Sequence, residues 1–210
     1  MNAAPDPNPS PLPLIYLARH GETEWSRSGR HTGRSDLPLT AHGEDEARRL
    51  APRLAGRRFA AVFTSPSVRA RRTAELAGFG DRALPDPDLL EWDYGRYEGL
   101  TTRDIRAEHP DWRPFRDGAP EGETLDALSA RADRVVARLR AIGGNSDVLI
   151  FSHRDFIRSL TVRWLGLPIG DAALFFMATA ALSALGFDHD RDEPVIRLWN
   201  DDRHLAPVSG

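Results

Sequence analysis

The stretch Leu14-Ile15-Tyr16-Leu17-Ala18-Arg19-His20-Gly21-Glu22-Thr23 decides how the rest of the chain is read. Its first five residues are apolar without alternation. That is the pattern of a strand covered on both faces, as in the centre of a parallel sheet. The run then breaks into a cation, an imidazole and a glycine. Two similar runs follow. Phe59–Phe63 ends in Thr64-Ser65-Pro66-Ser67-Val68-Arg69, and Asp147-Val148-Leu149-Ile150-Phe151 ends in Ser152-His153-Arg154. A fourth polar cluster, Leu90-Glu91-Trp92-Asp93-Tyr94-Gly95, follows a short extended piece over Leu84–Glu91.

Helical patterns fill the intervals. Thr40 reads as an N-cap, with Ala47, Leu50 and Leu54 at helical spacing behind it, and Pro52 should kink or end that helix near Ala51. Ser65-Pro66 opens a helix to about Ala77, with proline at the first helical position. Thr101/Thr102 starts a short helix that ends before His109-Pro110, and Pro110–Gly122 reads as an irregular loop. Thr124–Ile142 is amphipathic, Phe156–Leu165 is helical, and Ala181–Phe187 with Val195–Trp199 form the last two strands. Strands alternating with helices predict an α/β fold: a three-layer sandwich with a mostly parallel central sheet and helices on both faces. In such sheets ligands bind at the carboxyl ends of the strands, where the polar clusters fall.

Composition narrows the classes. The 210 residues suit one α/β domain over residues 14–210. Five prolines in Met1–Pro13 predict a disordered or extended tail. A net charge of −3 gives no electrostatic case for nucleic acid as a partner. With no cysteine, disulfides, thiolate catalysis and thiolate metal sites are excluded. No apolar run is long enough for a membrane span and no signal-peptide pattern opens the chain, so the expected location is cytoplasmic. A homodimer could use the apolar strand Phe59–Phe63 or the last hairpin.

The clustered residue types point to phosphate. Arginine presents a planar fork of donors that matches phosphate oxygens and stays charged. A neutral imidazole is a nucleophile toward phosphorus, and a transferring phosphoryl group is stabilised mainly by fixed cations. A leaving alkoxide needs a proton, which Glu91 could carry if burial raises its pKa. Nothing in this chemistry calls for a metal or a cofactor. Each residue alone has a plain structural reading, and the joint placement at strand ends is what argues for a site.

Arg19-His20-Gly21-Glu22-Thr23 with Trp25, Thr32-Gly33, Asp36-Leu37-Pro38-Leu39-Thr40 with Gly43, Ser65-Pro66 with Arg69-Ala70, the Glu91 block, Gly122-Glu123-Thr124 and Ser152-His153 occur in the order found in a known family. The chain resembles the histidine phosphatase superfamily, which is phosphoglycerate-mutase-like in fold. The resemblance runs from about Leu14 to Phe187. It implies that His20 becomes a phosphohistidine, that Arg19, Arg69 and His153 hold the phosphoryl oxygens, and that Glu91 is proton donor and then base. It also implies substrate contacts from Ser26, Thr32 and Gly33.

Three positions depart from the family pattern. Ser26 stands where mutases carry Asn. Arg72, where Gln or His is common, is expected to face solvent. Arg154 follows His153 where Gly is frequent; it either disturbs the pocket or points inward and reads a second anionic group. The segment Gly99–Glu123 is short for a mutase lid, although it carries Arg103, Arg106, Arg113 and Arg116. A short lid admits water to the phosphohistidine and favours hydrolysis. The expected activity is therefore metal-independent hydrolysis of small phosphate monoesters, sugar phosphates in particular. The alternatives are a 2,3-bisphosphoglycerate-dependent phosphoglycerate mutase and a non-catalytic phosphoester-binding domain.

Overall fold

The computed structural model describes residues 12–142 and 144–206. In chain order the elements are β1 (Ile15–Arg19), α1 (Glu24–Ser28), α2 (Ala41–Leu54), β2 (Phe59–Thr64), α3 (Val68–Leu76), β3 (Ala83–Pro85), α4 (Thr102–Glu108), α5 (Pro114–Asp117), α6 (Leu125–Ala141), β4 (Asp147–Ser152), α7 (Arg154–Trp164), β5 (Leu182–Phe187) and β6 (Pro194–Asp201). One six-stranded sheet runs β3-β2-β4-β1-β5-β6. The first four strands in that order are mutually parallel, and β5 and β6 are antiparallel.

The apolar runs of β1 and β4 are explained by burial on both sides. Ile15 and Leu17, with Val148 and Ile150, face the core under α6 and α7. Tyr16 and Ala18, with Leu149 and Phe151, face the core that holds Leu50 and Leu54 of α2 and Ala74 of α3. Alternate residues therefore serve opposite layers, and the three-layer sandwich expected from the sequence is the observed fold. No helix among the described residues is long and apolar enough to cross a membrane.

Several boundaries differ from expectation. Pro52 does not end α2, which continues to Leu54. Pro52 is exposed in the last turn, where the carbonyl left without a donor faces water. The helix after β2 starts at Val68 with Ser67 as N-cap, so Pro66 precedes the cap instead of occupying the first turn. Leu84–Glu91 is a three-residue strand followed by a 3-10 turn at Pro87–Leu89. The region 110–122 contains the one-turn α5, which buries Phe115 against Trp92. Two short elements, α1 and the 3-10 turn Ile169–Leu174, carry no pattern long enough to announce them. Most of the Pro-rich tail lies outside the described residues; Pro13 is buried and Leu12 packs against the core. β2 sits between β3 and β4, so Phe59–Phe63 is not a free sheet edge for a second copy.

The strand ends are joined where the polar clusters begin. His20 N–H donates to Ser152 O at 3.0 Å, and Ser65 N–H donates to Phe151 O at 2.9 Å. Gly21 and Gly43 then bring two backbones together. A Cβ on Gly21 would lie 2.2 Å from Gly43 O, and one on Gly43 would lie 2.1 Å from Glu22 O. Only glycine at both positions allows the segment after β1 to pack on the first turn of α2.

Candidate active site

His20 is fixed from three sides. Its backbone is tied to β4, Gly21 N–H donates to Thr73 Oγ1 at 3.1 Å, and Thr73 Oγ1 donates to Arg69 O at 2.8 Å. His20 Nδ1 lies 2.7 Å from Gly21 O. A carbonyl can only accept, so Nδ1 carries the proton and Nε2 keeps its lone pair. Burial, reinforced by the Arg69 and Arg19 charges, pushes the His20 imidazole well below the usual histidine range. The ring is therefore neutral at physiological pH, and its tautomer is set for attack through Nε2.

Arg19 and Arg69 play different parts. Arg19 lines the cavity in front of His20 and donates through Nη1 to Met177 O at 2.8 Å. Its Nε is buried with no hydrogen-bond partner among the described residues. Burial, with repulsion from Arg154, lowers its pKa to about 10, so it remains a cation. Arg69 stands behind. It donates to Ser35 O (2.8 Å), Gly33 O (3.1 Å) and Thr32 O (3.5 Å), and its Nε donates to His153 Nδ1 (3.1 Å). His153 Nε2 faces Ser65 Oγ at 2.8 Å. Because Nδ1 accepts from Arg69, Nε2 carries the hydrogen. The His20 and His153 rings meet edge to face with centroids 5.2 Å apart.

Glu91 is brought to the same cavity by the loop after β3. Its Oε1 accepts from Trp92 N–H (2.9 Å) and Phe156 N–H (2.8 Å), and Oε2 accepts from Asp155 N–H (3.2 Å). Burial pushes its carboxyl above the usual carboxylate range, the Asp155 charge adds to this, and the backbone donors oppose it. Burial alone would raise Asp155 too, but Arg154 and Arg158, with the Tyr94 hydroxyl, hold it well below the ordinary range. The pKa values of two neighbouring carboxyls are thus driven apart, Glu91 upward and Asp155 downward. Arg131 supports the loop: it pairs with Glu123 (2.6 Å), donates to Asp88 O and Leu90 O, and lies over the Phe156 ring at 4.5 Å.

The cavity has a volume of about 90 Å³. That is below the roughly 300–1,000 Å³ of sites that swallow a whole small molecule and is room for a group of phosphoryl size rather than for a whole sugar ester. Ser26, Thr32 and Arg154 line it. The Ser26 hydroxyl also closes a capping box with Thr23. Gly33 does not line it: its amide donates to Glu98 at 2.9 Å and its carbonyl accepts from Arg69, so both polar groups are engaged within the protein. Arg69 and His153 do not line it either. Arg72 lies on the surface, paired with Glu44 and Glu75.

Sequence reasoning missed His31 and Thr102 on the cavity wall. His31 is buried between Tyr94 and Trp112, with its Nε2 3.2 Å from Thr102 Oγ1, and burial lowers its pKa to about 4. Asp155 and Arg131 were also missed. Arg131 reaches Glu123 and the loop carbonyls of Asp88 and Leu90, and Asp155, although paired along its own helix with Arg154 and Arg158, matters to the site through Tyr94 and Glu91, which no local spacing reveals.

A neutral, oriented imidazole beside buried guanidiniums, with a buried carboxyl raised above its ordinary range in the same small cavity, is the equipment of a phosphoryl-transfer enzyme. The chain belongs to the histidine phosphatase superfamily (branch 1), whose pattern matches residues 15–202. It is 42% identical to an acid phosphatase of Mycobacterium tuberculosis, over 83% of this chain and 87% of that protein. It is 36% identical to a sedoheptulose 1,7-bisphosphatase of Saccharomyces cerevisiae, over 77% of this chain and 70% of that protein. The solved structure of a Mycobacterium tuberculosis open reading frame superposes with a TM-score of 0.84 at 37% identity, covering 90% of this chain and 97% of the other. The resemblance, fold and reaction class expected from the sequence hold: this is a phosphoric monoester hydrolase.

Proposed function

We propose that the chain hydrolyses small sugar-phosphate monoesters, passing the phosphoryl group first to Nε2 of His20 and then to water. In the first step Nε2 bonds to phosphorus, the ester P–O bond breaks, and Glu91 gives its proton to the departing alkoxide. In the second, the Glu91 carboxylate takes a proton from water as the water oxygen attacks phosphorus. The P–N bond breaks, phosphate leaves, and neutral His20 and protonated Glu91 are restored. Arg19 supplies charge to the phosphoryl oxygens. Arg69 and His153 act from behind: Arg69 adds positive field while gripping the 32–35 loop, and His153 bridges Arg69 to Ser65.

The observation that carries this reading is the pair in one cavity, the buried His20 imidazole with its free Nε2 and the buried Glu91 carboxyl, which burial shifts in opposite directions, His20 down and Glu91 up. The sugar-phosphate class is supported by the name of the yeast relative. Hydrolysis over isomerisation is supported by the short 99–123 segment, whose Trp112 and Phe115 are used in the core rather than in a closing lid. The same reading places the enzyme in the cytoplasm, acting on metabolites rather than nucleic acid, in keeping with a net charge of −3. For a homodimer the last hairpin offers β6, one of the two edge strands of the sheet.

The test is phosphate release from a panel of sugar phosphates, and from 3-phosphoglycerate with and without 2,3-bisphosphoglycerate, by wild type and His20→Ala. Release that depends on His20 and ignores the bisphosphate is expected, together with an acid-labile phosphoryl group trapped on the wild type alone. Near-wild-type release by His20→Ala would end the mechanism, and bisphosphate-dependent isomerisation without release would make the chain a mutase.

A further inference from the structure

Building on the phosphomonoesterase reading above, we propose that Arg154 determines specificity by binding a second anionic group, a phosphate or a carboxylate, at the far end of the substrate. Arg154 opens α7 directly after His153, in backbone that does not have positive φ, so a side chain is accommodated there without strain. It lines the same cavity as Arg19, His20 and Glu91.

The guanidinium is held before any substrate arrives. Nε donates to Asp155 Oδ1 at 3.0 Å and Nη2 reaches Oδ2 at 3.4 Å. Asp155 is fully buried and is itself fixed by the Tyr94 hydroxyl and by Arg158 Nη1 at 2.6 Å. One carboxylate therefore faces two guanidiniums, leaving one positive charge in surplus. Arg158 spends its remaining reach on Ala172 O, at 2.8 Å from Nε. The surplus falls on Arg154, whose Nη1 makes no hydrogen bond among the described residues and whose side chain is 39% exposed. A pre-positioned planar fork with free donors at a cavity mouth is a receptor for an oxyanion.

One observation separates this anion from the transferring phosphoryl group. The enclosed volume of about 90 Å³ holds that group next to His20, so the rest of the ester lies outward, on the exposed side of Arg154.

The experiment compares kcat/KM within two matched pairs: fructose 1,6-bisphosphate against fructose 6-phosphate, and 3-phosphoglycerate against glycerol 3-phosphate. Wild type, Arg154→Ala, Arg154→Gln and Arg154→Lys are measured, with His20→Ala as the blank. A charge-assisted contact to the second group makes the doubly anionic member of at least one pair better by roughly ten- to a hundredfold. The pair showing it identifies the group as phosphate or carboxylate. That ratio falls to near one in Arg154→Ala and Arg154→Gln, mostly through KM, and is partly restored in Arg154→Lys. A wild-type ratio near one in both pairs overturns the assignment, as does a ratio that survives in Arg154→Gln. Equal loss on both members would make Arg154 a clamp on the transferring group and also overturns it. Failure of the underlying mechanism looks different: His20→Ala would then match wild type on every ester.

Discussion

Replacing Glu91 by Gln isolates one proton. With ordinary pKa values of 6.5 and 4.5 for the two side chains, a neutral imidazole and a protonated carboxyl would coexist in at most about 1% of molecules, at about pH 5.5. Burial works against that order by lowering His20 and raising Glu91, so the share of molecules in which both are ready grows. The rate kcat/KM is expected to fall on the acid side as His20 protonates, below the normal histidine range. It falls on the alkaline side as Glu91 ionises, above the normal carboxylate range. Gln keeps the shape of the side chain. Its amide oxygen replaces Oε1 and retains the bonds from Trp92 and Phe156; only the 3.2 Å bond from Asp155 N–H is lost, at a cost of about 1 kcal/mol. The fold survives while the acid is removed. General acid catalysis contributes about 10²–10⁴-fold, equivalent to about 3–5 kcal/mol. The assay is kcat/KM against pH for an alkyl phosphate and for p-nitrophenyl phosphate. This ratio ends at the first irreversible step, loss of the alcohol, so later work of Glu91 on water does not enter. The alkyl ester should lose the full factor and its alkaline limb, and the nitrophenyl ester should lose less than about tenfold because its leaving group needs no proton. Equal losses with the alkaline limb intact would refute the acid role. Stability gives a second check. The neutral Glu91 contribution is fully present below the unfolded pKa and is lost as pH rises through the raised folded value, so wild type should weaken against Glu91→Gln as the solution becomes more alkaline.

Gly21→Ala should destabilise by about 1–3 kcal/mol or more through the 2.2 Å clash with Gly43 O; thermal unfolding would show a fall of roughly 2–4 °C per kcal/mol, and an unchanged midpoint would contradict the close approach. Arg131→Ala leaves Glu123 unpaired and removes donors from two loop carbonyls. It should cost about 3–5 kcal/mol and lower alkyl-ester kcat by misplacing Glu91; a loss of stability with no change in that rate would divorce the brace from the acid. Leu50→Ala, in a core cluster that contributes no residue to the cavity lining, should cost about 2–5 kcal/mol in denaturant titration while kcat/KM at low temperature stays put.

Different features of the molecule were legible to different degrees. The runs of β1 and β4 announced central strands because both their faces are covered, so hydrophobicity is continuous. Arg19, His20 and Glu91 were legible for a related reason: a polar residue directly after such a run or loop has few places to go except the sheet edge. Arg69 was placed near the site correctly, yet its partners are carbonyls of residues 32–35. A sequence does not show which donors a loop will consume. Gly33 misled for the same reason, since Glu98 claims its amide. The 110–122 region reads as loop because α5 is a single turn, too short for a period, although Phe115 and Trp112 are core residues. Arg154 had two open readings in the sequence, and the helical start of α7 removes the one that required glycine.

The two halves of the chemistry are anchored differently. The amides of His20 and Ser65 form the last rungs between central strands, so the nucleophile's backbone loosens only when the sheet itself opens. Glu91 sits on irregular backbone whose position depends on the Arg131 and Glu123 side chains, and such segments open locally at lower free energy. On warming, the molecule should therefore lose its proton donor before its nucleophile. Between those two temperatures it would still take phosphate from an activated aryl ester and fail on a sugar ester, so the apparent heat tolerance of this enzyme depends on which substrate is in the tube.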